Sequence, residues 1–122
     1  METVKKVWGW EEIFVNEPEY CGKLLHIAPG FRCSLHYHKN KKETFYVLEG
    51  SVLLEQRDIR GIPFEEVLYP GNSRTIMPGT QHRFQSARPN DSAIILEVST
   101  HHEDSDSYRI VESGPICKSE TS

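Results

Sequence analysis

Several features are missing from this 122-residue chain, and each absence removes a class of function. No apolar run approaches the roughly 20 residues that a membrane-spanning helix needs, and no basic-then-apolar leader opens the sequence, so the expectation is a protein without membrane contact. Cysteine is scarce. Cys21, Cys33 and Cys117 are odd in number and widely spaced, which is neither a disulfide framework nor a paired-cysteine metal motif. The simplest compartment for such a chain is a reducing cytoplasm. A surplus of positive charge is also missing. The net charge is -4 with histidine neutral, which argues against nucleic acid as a partner. Neither a fixed-period repeat nor a long stretch of helical periodicity can be found.

What is present is a series of short apolar or alternating runs, each stopped by turn residues. The runs are Leu24 to Ile27, Thr44 to Leu48, Ser51 to Glu55, Phe64 to Tyr69, Arg74 to Met77 and Ala93 to Val98. Pro29-Gly30, Gly50, Gly61-Ile62-Pro63, Pro70-Gly71 and Pro78-Gly79 punctuate them. Many short strands with Gly and Pro turns imply an all-β sandwich, jelly roll or barrel. The length fits one domain over residues 1–122, with its core in 20–98. Residues 1–19 carry Trp8, Trp10 and Phe14 and are expected to pack on the barrel. Residues 99–122 read as a polar, acidic tail, disordered from about Lys118. The same aromatics predict a homodimer, with residues 1–19 or an outer sheet face at the interface.

Two segments carry chemistry. In the first, Gly30 to Gly50, His36 and His38 stand two residues apart, so on a strand both imidazoles project from one face. A polar turn, Lys39 to Lys42, reverses the chain, and Glu43 opens the next strand to return a carboxylate to the same point. In the second, Gly71 to His82, the turn at Pro78-Gly79 delivers His82 from across the barrel. Three imidazoles and one carboxylate suit a first-row divalent metal such as Zn, Mn, Fe or Ni. In an octahedral shell these four would leave two positions for water or substrate. His26, His101 and His102 lack such spacing and are read as non-ligands.

The first segment resembles the first cupin motif throughout: glycine, five residues, His-x-His, four residues, Glu, six residues, glycine. The second resembles the second cupin motif at Gly71, Gly79 and His82. It departs where Met77 takes the usual first proline position and Ser86 stands for asparagine. The resemblance implies a jelly-roll barrel (a double-stranded β-helix) with the metal inside. The flanks Trp8-Gly9-Trp10-Glu11, Tyr20 to Leu25 and Leu96 to Ile110 are similar to the cupin domain of type II mannose-6-phosphate isomerases. Those enzymes carry glutamine where His36 stands, and this chain has no room for their nucleotidyltransferase domain. D-lyxose isomerases and archaeal phosphoglucose isomerases are cupins with the same ligand set.

The resemblance implies a metal-dependent aldose–ketose isomerase acting on a sugar or sugar phosphate, with that small molecule as its partner. Glu43 is the first candidate for a proton-moving carboxylate, assisted by Tyr46 or Glu97. Lys23, Arg32 and Arg83 are candidates for substrate contacts. Arg32 is preferred, because an unbroken strand would put it on the face of Ser34, His36 and His38. The alternatives are a metal-dependent dioxygenase and a non-catalytic sugar- or metabolite-binding module, since one shell serves all three.

Overall fold

A computed structural model describes residues 2–116. The strands in chain order are β1 (Glu2–Lys6), β2 (Gly9–Asn16), β3 (Cys21–Ile27), β4 (Phe31–Arg32), β5 (Leu35–Tyr37), β6 (Glu43–Glu49) and β7 (Val52–Arg57). They continue with β8 (Pro63–Leu68), β9 (Ser73–Ile76), β10 (His82–Ser86), β11 (Ala93–Ser99), β12 (Tyr108–Val111) and β13 (Gly114–Pro115). Among the described residues one 3-10 turn, Asp104–Asp106, interrupts them. The expected runs all lie on strands, displaced by up to three residues at their ends. No helix among the described residues is long and apolar enough to cross a membrane.

All strand pairs are antiparallel and they form two sheets. One sheet has the order β1-β2-β3-β11-β6-β9. In the other, β10 pairs with β7 on one side and with β4 and β5 on the other, β8 lies outside β7, and β12 and β13 add to β5 and β4. Alternation along the strands sends one set of side chains between the sheets. Leu25, Ile27, Phe45, Val47, Ile76 and Ile95 meet Val52, Leu54, Leu68 and Phe84 there, and all are buried. Trp8 closes this core with its ring edge-on to Phe84 at 4.9 Å.

The inward rows change character along each strand. Lys23 is followed by Leu25 and Ile27, Glu43 by Phe45 and Val47, and His82 by Phe84. On β11, which runs the other way, Ala93 and Ile95 precede Glu97. One end of the interior is therefore hydrocarbon and the other is lined with ionisable groups.

Within the expected tail, residues 99–116 are not an unstructured polar stretch. Asp106 is buried, β12 pairs with β5 and β13 with β4, so this segment completes the second sheet. Its apolar content is low, and its order comes from backbone pairing and from the Asp106 carboxylate instead. The expectation from Lys118 onward, and Cys117, lie outside the described residues.

Gly9 shows how tightly β2 and β3 are joined. Its φ is +149°, and a Cβ built there would stand 1.8 Å from the His26 carbonyl oxygen. Gly9→Ala is therefore expected to destabilise the fold by about 3 kcal/mol or more, because strain and a backbone clash add. Urea unfolding of the two proteins checks this.

Candidate metal centre

Strand β5 and the residue after it carry His36 and His38 to the ionisable end of the interior, β10 carries His82, and β6 carries Glu43. The register sets His36 directly opposite His82. One ring nitrogen from each of His36, His38 and His82 lies within 4.8 Å of the other two, close enough to share a single cation. His38, His82 and Glu43 are buried. Glu43 reaches the cluster with both oxygens: Oε1 lies 3.2 Å from His82 Nε2, and Oε2 lies 3.3 Å from His38 Nε2.

The outer nitrogens fix the tautomers. Each Nδ1–H has a backbone carbonyl to donate to: His36 to Ser34 at 2.8 Å, His38 to Asp106 at 3.0 Å, and His82 to Thr80 at 2.8 Å. The Nε2 lone pairs are thereby turned toward the cluster, the arrangement that positions imidazoles as ligands. Two of these lone pairs then face carboxylate oxygens across 3.2–3.3 Å, acceptor against acceptor. Glu43 Oε2 is buried with no aligned hydrogen-bond donor. A shared divalent cation resolves both conditions, so the residues present fit a metal ion.

Electrostatics keeps the ligands in their binding forms. Burial, reinforced by His82, lowers His36 to about 3, against the help of the Ser34 carbonyl. Burial lowers His38 to about 4, although Glu43 opposes it. For Glu43 burial works upward, but His82, Lys41 and His38 outweigh it and hold the carboxylate below its usual range. Neutral imidazoles beside an ionised carboxylate are what divalent ions bind.

Two residues beside the cluster, Lys41 and Asp106, were not read from the sequence as part of the site. Lys41, taken as part of a polar turn, is buried, with Nζ 3.3 Å from Glu43 Oε2, 3.1 Å from Glu97 Oε2 and 3.2 Å from His102 Nδ1. Burial disfavours its charge, yet Glu97 and Glu43 more than compensate and raise its pKa. Asp106 accepts the backbone N–H groups of Lys39, Asn40 and Lys41 and so clamps the turn between His38 and Glu43. The signal that could have found Lys41 is its place two residues before Glu43 in a strand-phased turn.

The cavity over the cluster holds about 620 Å³, within the usual range for small-molecule sites. Lys23 and Glu97, opposite each other in the β3–β11 register, both line it and are both buried. Burial, and after it the charge of Glu43, raises the Glu97 pKa, with Lys41 opposing. Lys23 Nζ stands 3.5 Å from Glu11. His102 also lines the cavity, as acceptor for Lys41 and partner of Asp104, outside the ligand cluster. His26 stacks on Trp10 on the outer face, and His101 is exposed.

Three expected site residues lie elsewhere. Tyr46 is out of phase with Glu43 and Phe45 and is exposed on the outside of its sheet. Arg32 does not share the histidine face. Four residues separate Arg32 from His36, but only three separate their β10 partners Gln85 and His82, so one extra residue flips the strand phase. Cys33 and Ser34 line the cavity instead. Arg83 follows the inward His82 and points away from it. Its Nε and Nη2 donate to the Cys33 carbonyl at 3.2 and 3.1 Å, holding the irregular segment in place.

Two outcomes follow from this geometry. Asp106→Ala removes the acceptor for three N–H groups behind two ligands, and should weaken divalent-metal affinity 10–100-fold, measured by competition with a chromogenic chelator. In metal-free protein His36 and His38 stay neutral in the fold down to about 3 and about 4, whereas in the unfolded chain they protonate near 6.5. The unfolded state then binds more protons, so stability falls as pH drops from 6.5 toward 4. The slope is at most about 1.4 kcal/mol per pH unit for each histidine. Denaturant titrations between these pH values read it directly.

Comparison with known proteins agrees with this architecture. Residues 23–99 match the cupin domain. The chain is 32% identical over 114 residues to a D-lyxose/D-mannose isomerase of Thermosediminibacter oceani, covering 75% of this chain and 62% of that one. It is 31% identical over 116 residues to a D-lyxose ketol-isomerase of Cohnella laeviribosi, covering 75% and 61%. The chain thus spans about three-fifths of the length of these curated relatives. Among solved structures, oxalate decarboxylase from Bacillus subtilis at pH 4.6 superposes with a TM-score of 0.79 at 19% identity, over 89% of this chain and 30% of that one. The capsular polysaccharide assembling protein CapF from Staphylococcus aureus gives 0.79 at 18% identity, over 91% and 32%. With its family motifs, double sheet and inward histidines in agreement, this chain belongs to the cupin family.

Proposed function

We propose that this protein is a metal-dependent aldose–ketose isomerase acting on an unphosphorylated sugar. The observation that carries the reading is a second buried carboxylate, Glu97, in the same cavity as the ligand cluster. A binding module needs the ligands alone, whereas isomerisation needs a base beside them. The isomerase names of the curated relatives agree with it.

His36, His38, Glu43 and His82 would hold a divalent ion, with Mn, Fe, Ni and Zn all compatible with the donor set. Such an ion supplies Lewis acidity toward a carbonyl and its neighbouring hydroxyl. With Glu43 engaged at the imidazoles, Glu97 is the other buried carboxylate of the cavity and the one we assign to move the proton. It takes the proton from carbon 2 of an aldose; the electron pair of that C–H bond becomes the C1–C2 double bond as the π pair of the C1 carbonyl moves onto its oxygen. The same carboxyl returns the proton to carbon 1, while the hydroxyl proton passes from the oxygen of carbon 2 to that of carbon 1. A carboxylate raised by burial is better matched to this task than one at its solution value. Lys41 holds Glu97 through Oε2 and keeps it apart from Glu43.

The charge of the buried part of the cavity wall favours a neutral polyol over a phosphate. There Lys23 and Lys41 each already face a carboxylate, Glu11 and Glu43 with Glu97, while Lys5, Lys6 and Arg109 line its outer part. A phosphate beside the histidine cluster would have to displace these partners, whereas hydroxyls can bridge them.

The test is to incubate metal-loaded protein with D-lyxose, D-mannose, other aldoses and their phosphates in deuterated water. Interconversion of a free aldose with its ketose, with deuterium entering at the transferred position, is expected. No interconversion with any sugar at any metal loading overturns the reading. Glu97→Gln should lower kcat by about 10²–10⁴-fold, leaving bound metal and KM nearly unchanged.

A further inference from the structure

We infer that His102 is a positioning residue: it fixes the ammonium of Lys41 between Glu43 and Glu97, and through it the carboxylate that moves the substrate proton. The link to catalysis rests on the isomerase reading; the placement of Lys41 does not.

An ammonium has three N–H groups to donate and nothing with which to accept. Lys41 is buried, and its Nζ has three neighbours. It donates to Glu97 Oε2 at 3.1 Å and to His102 Nδ1 at 3.2 Å, and it stands 3.3 Å from Glu43 Oε2 without aligning a hydrogen on it. Between two carboxylates alone, the ammonium could slide toward either one. A neutral third acceptor on another side removes that freedom. Without His102 a buried N–H would be left unmatched, and the nearest unmatched acceptor is Glu43 Oε2. Lys41 would then turn onto a metal ligand and away from Glu97.

The imidazole is itself held from behind. An ammonium can only donate, so Nδ1 is the acceptor, and Nε2–H donates to Asp104 Oδ1 at 2.9 Å. Burial, with Lys23 and Lys41, lowers the His102 pKa against the pull of Asp104 and keeps the ring in this form. The backbone of His102 is clamped by the side-chain amide of Asn16 at the end of β2. Asn16 Nδ2 donates to the His102 carbonyl at 3.2 Å, and Asn16 Oδ1 accepts the His102 N–H at 3.1 Å. The placement of the ring is thus set by β2, independently of Lys41. A few residues on, Asp106 Oδ2 accepts the Lys41 backbone N–H at 3.0 Å. The segment 102–106 therefore grips Lys41 at both ends.

The test combines turnover of free aldoses at saturating metal with NMR of the full-length, zinc-loaded protein carrying ¹⁵N-labelled lysine. The wild-type Lys41 ammonium should give a slowly exchanging N–H resonance, identified by its loss in Lys41→Arg. His102→Leu removes the acceptor. It should erase that resonance and lower kcat about 10–100-fold, with KM changed less than about threefold. His102→Asn puts an amide oxygen near the place of Nδ1 and should restore both. Asp104→Ala alters a side chain that is 99% exposed, and it carries the test if His102→Leu does not fold. It should move the His102 ring nitrogens to a mixture of tautomers and lower kcat at least about threefold. An unchanged Lys41 resonance or kcat in His102→Leu, or His102→Asn as impaired as His102→Leu, overturns the inference. So does an Asp104→Ala protein with ring nitrogens and kcat unchanged. If the wild type turns over no sugar, the isomerase reading fails, and the Lys41 resonance still decides whether His102 holds the ammonium.

Discussion

A carboxylate facing two imidazole lone pairs inside a barrel is the constraint around which this structure is arranged. Glu43 is ionised, buried and set against the Nε2 atoms of His38 and His82, and its Oε2 has no aligned donor. An arrangement of acceptors alone is unfavourable in a low-dielectric interior. It persists because the backbone fixes every part of it from outside. Three carbonyls hold the imidazole Nδ1–H groups, and Asp106 grips the turn that joins two of the ligands. Lys41 then supplies a fixed positive charge to one side of Glu43, leaving the other side for a mobile one.

The layering of the interior makes this tolerable. Each inward row crosses from ionisable to apolar residues within two or three strand positions, so the hydrocarbon half stabilises the strands on which the charged half is displayed. Phe45 and Phe84 form the floor, with ring centroids 5.9 Å apart, and Phe45 also touches His82 at 6.0 Å. The site is thus mounted on rigid strands, where side-chain placement is more reproducible than on loops.

The sequence made the clustering of His36, His38, His82 and Glu43 legible because strand alternation and turn spacing act locally. His36 and His38 needed only period two, and Glu43 only a short reversal. The supporting charges were harder to see. Lys23 and Glu97 could be named only as candidates among other charged residues, and Lys41 not at all; the pairing of β3 with β11 and the depth of the turn reveal that they face inward. Arg32 was misplaced because one extra residue between β4 and β5 reverses the phase, and an irregularity of that kind leaves no mark in composition. Strands β12 and β13 escaped notice because their hydrogen bonds are to β5 and β4, far away in the chain, while their side chains are mostly exposed.

The grip of Asp106 on residues 39–41 has a consequence for how the ligands are held. The strand that follows it pairs Arg109 with His36 and Tyr108 with Tyr37, so the chain's later portion and the ligand-bearing strand hold each other in position. The order of residues 104–111 and the placement of the histidine cluster are thereby tied together. A change that loosens residues 104–111 would therefore be felt at His36 and His38, although no side chain of β12 belongs to the histidine cluster.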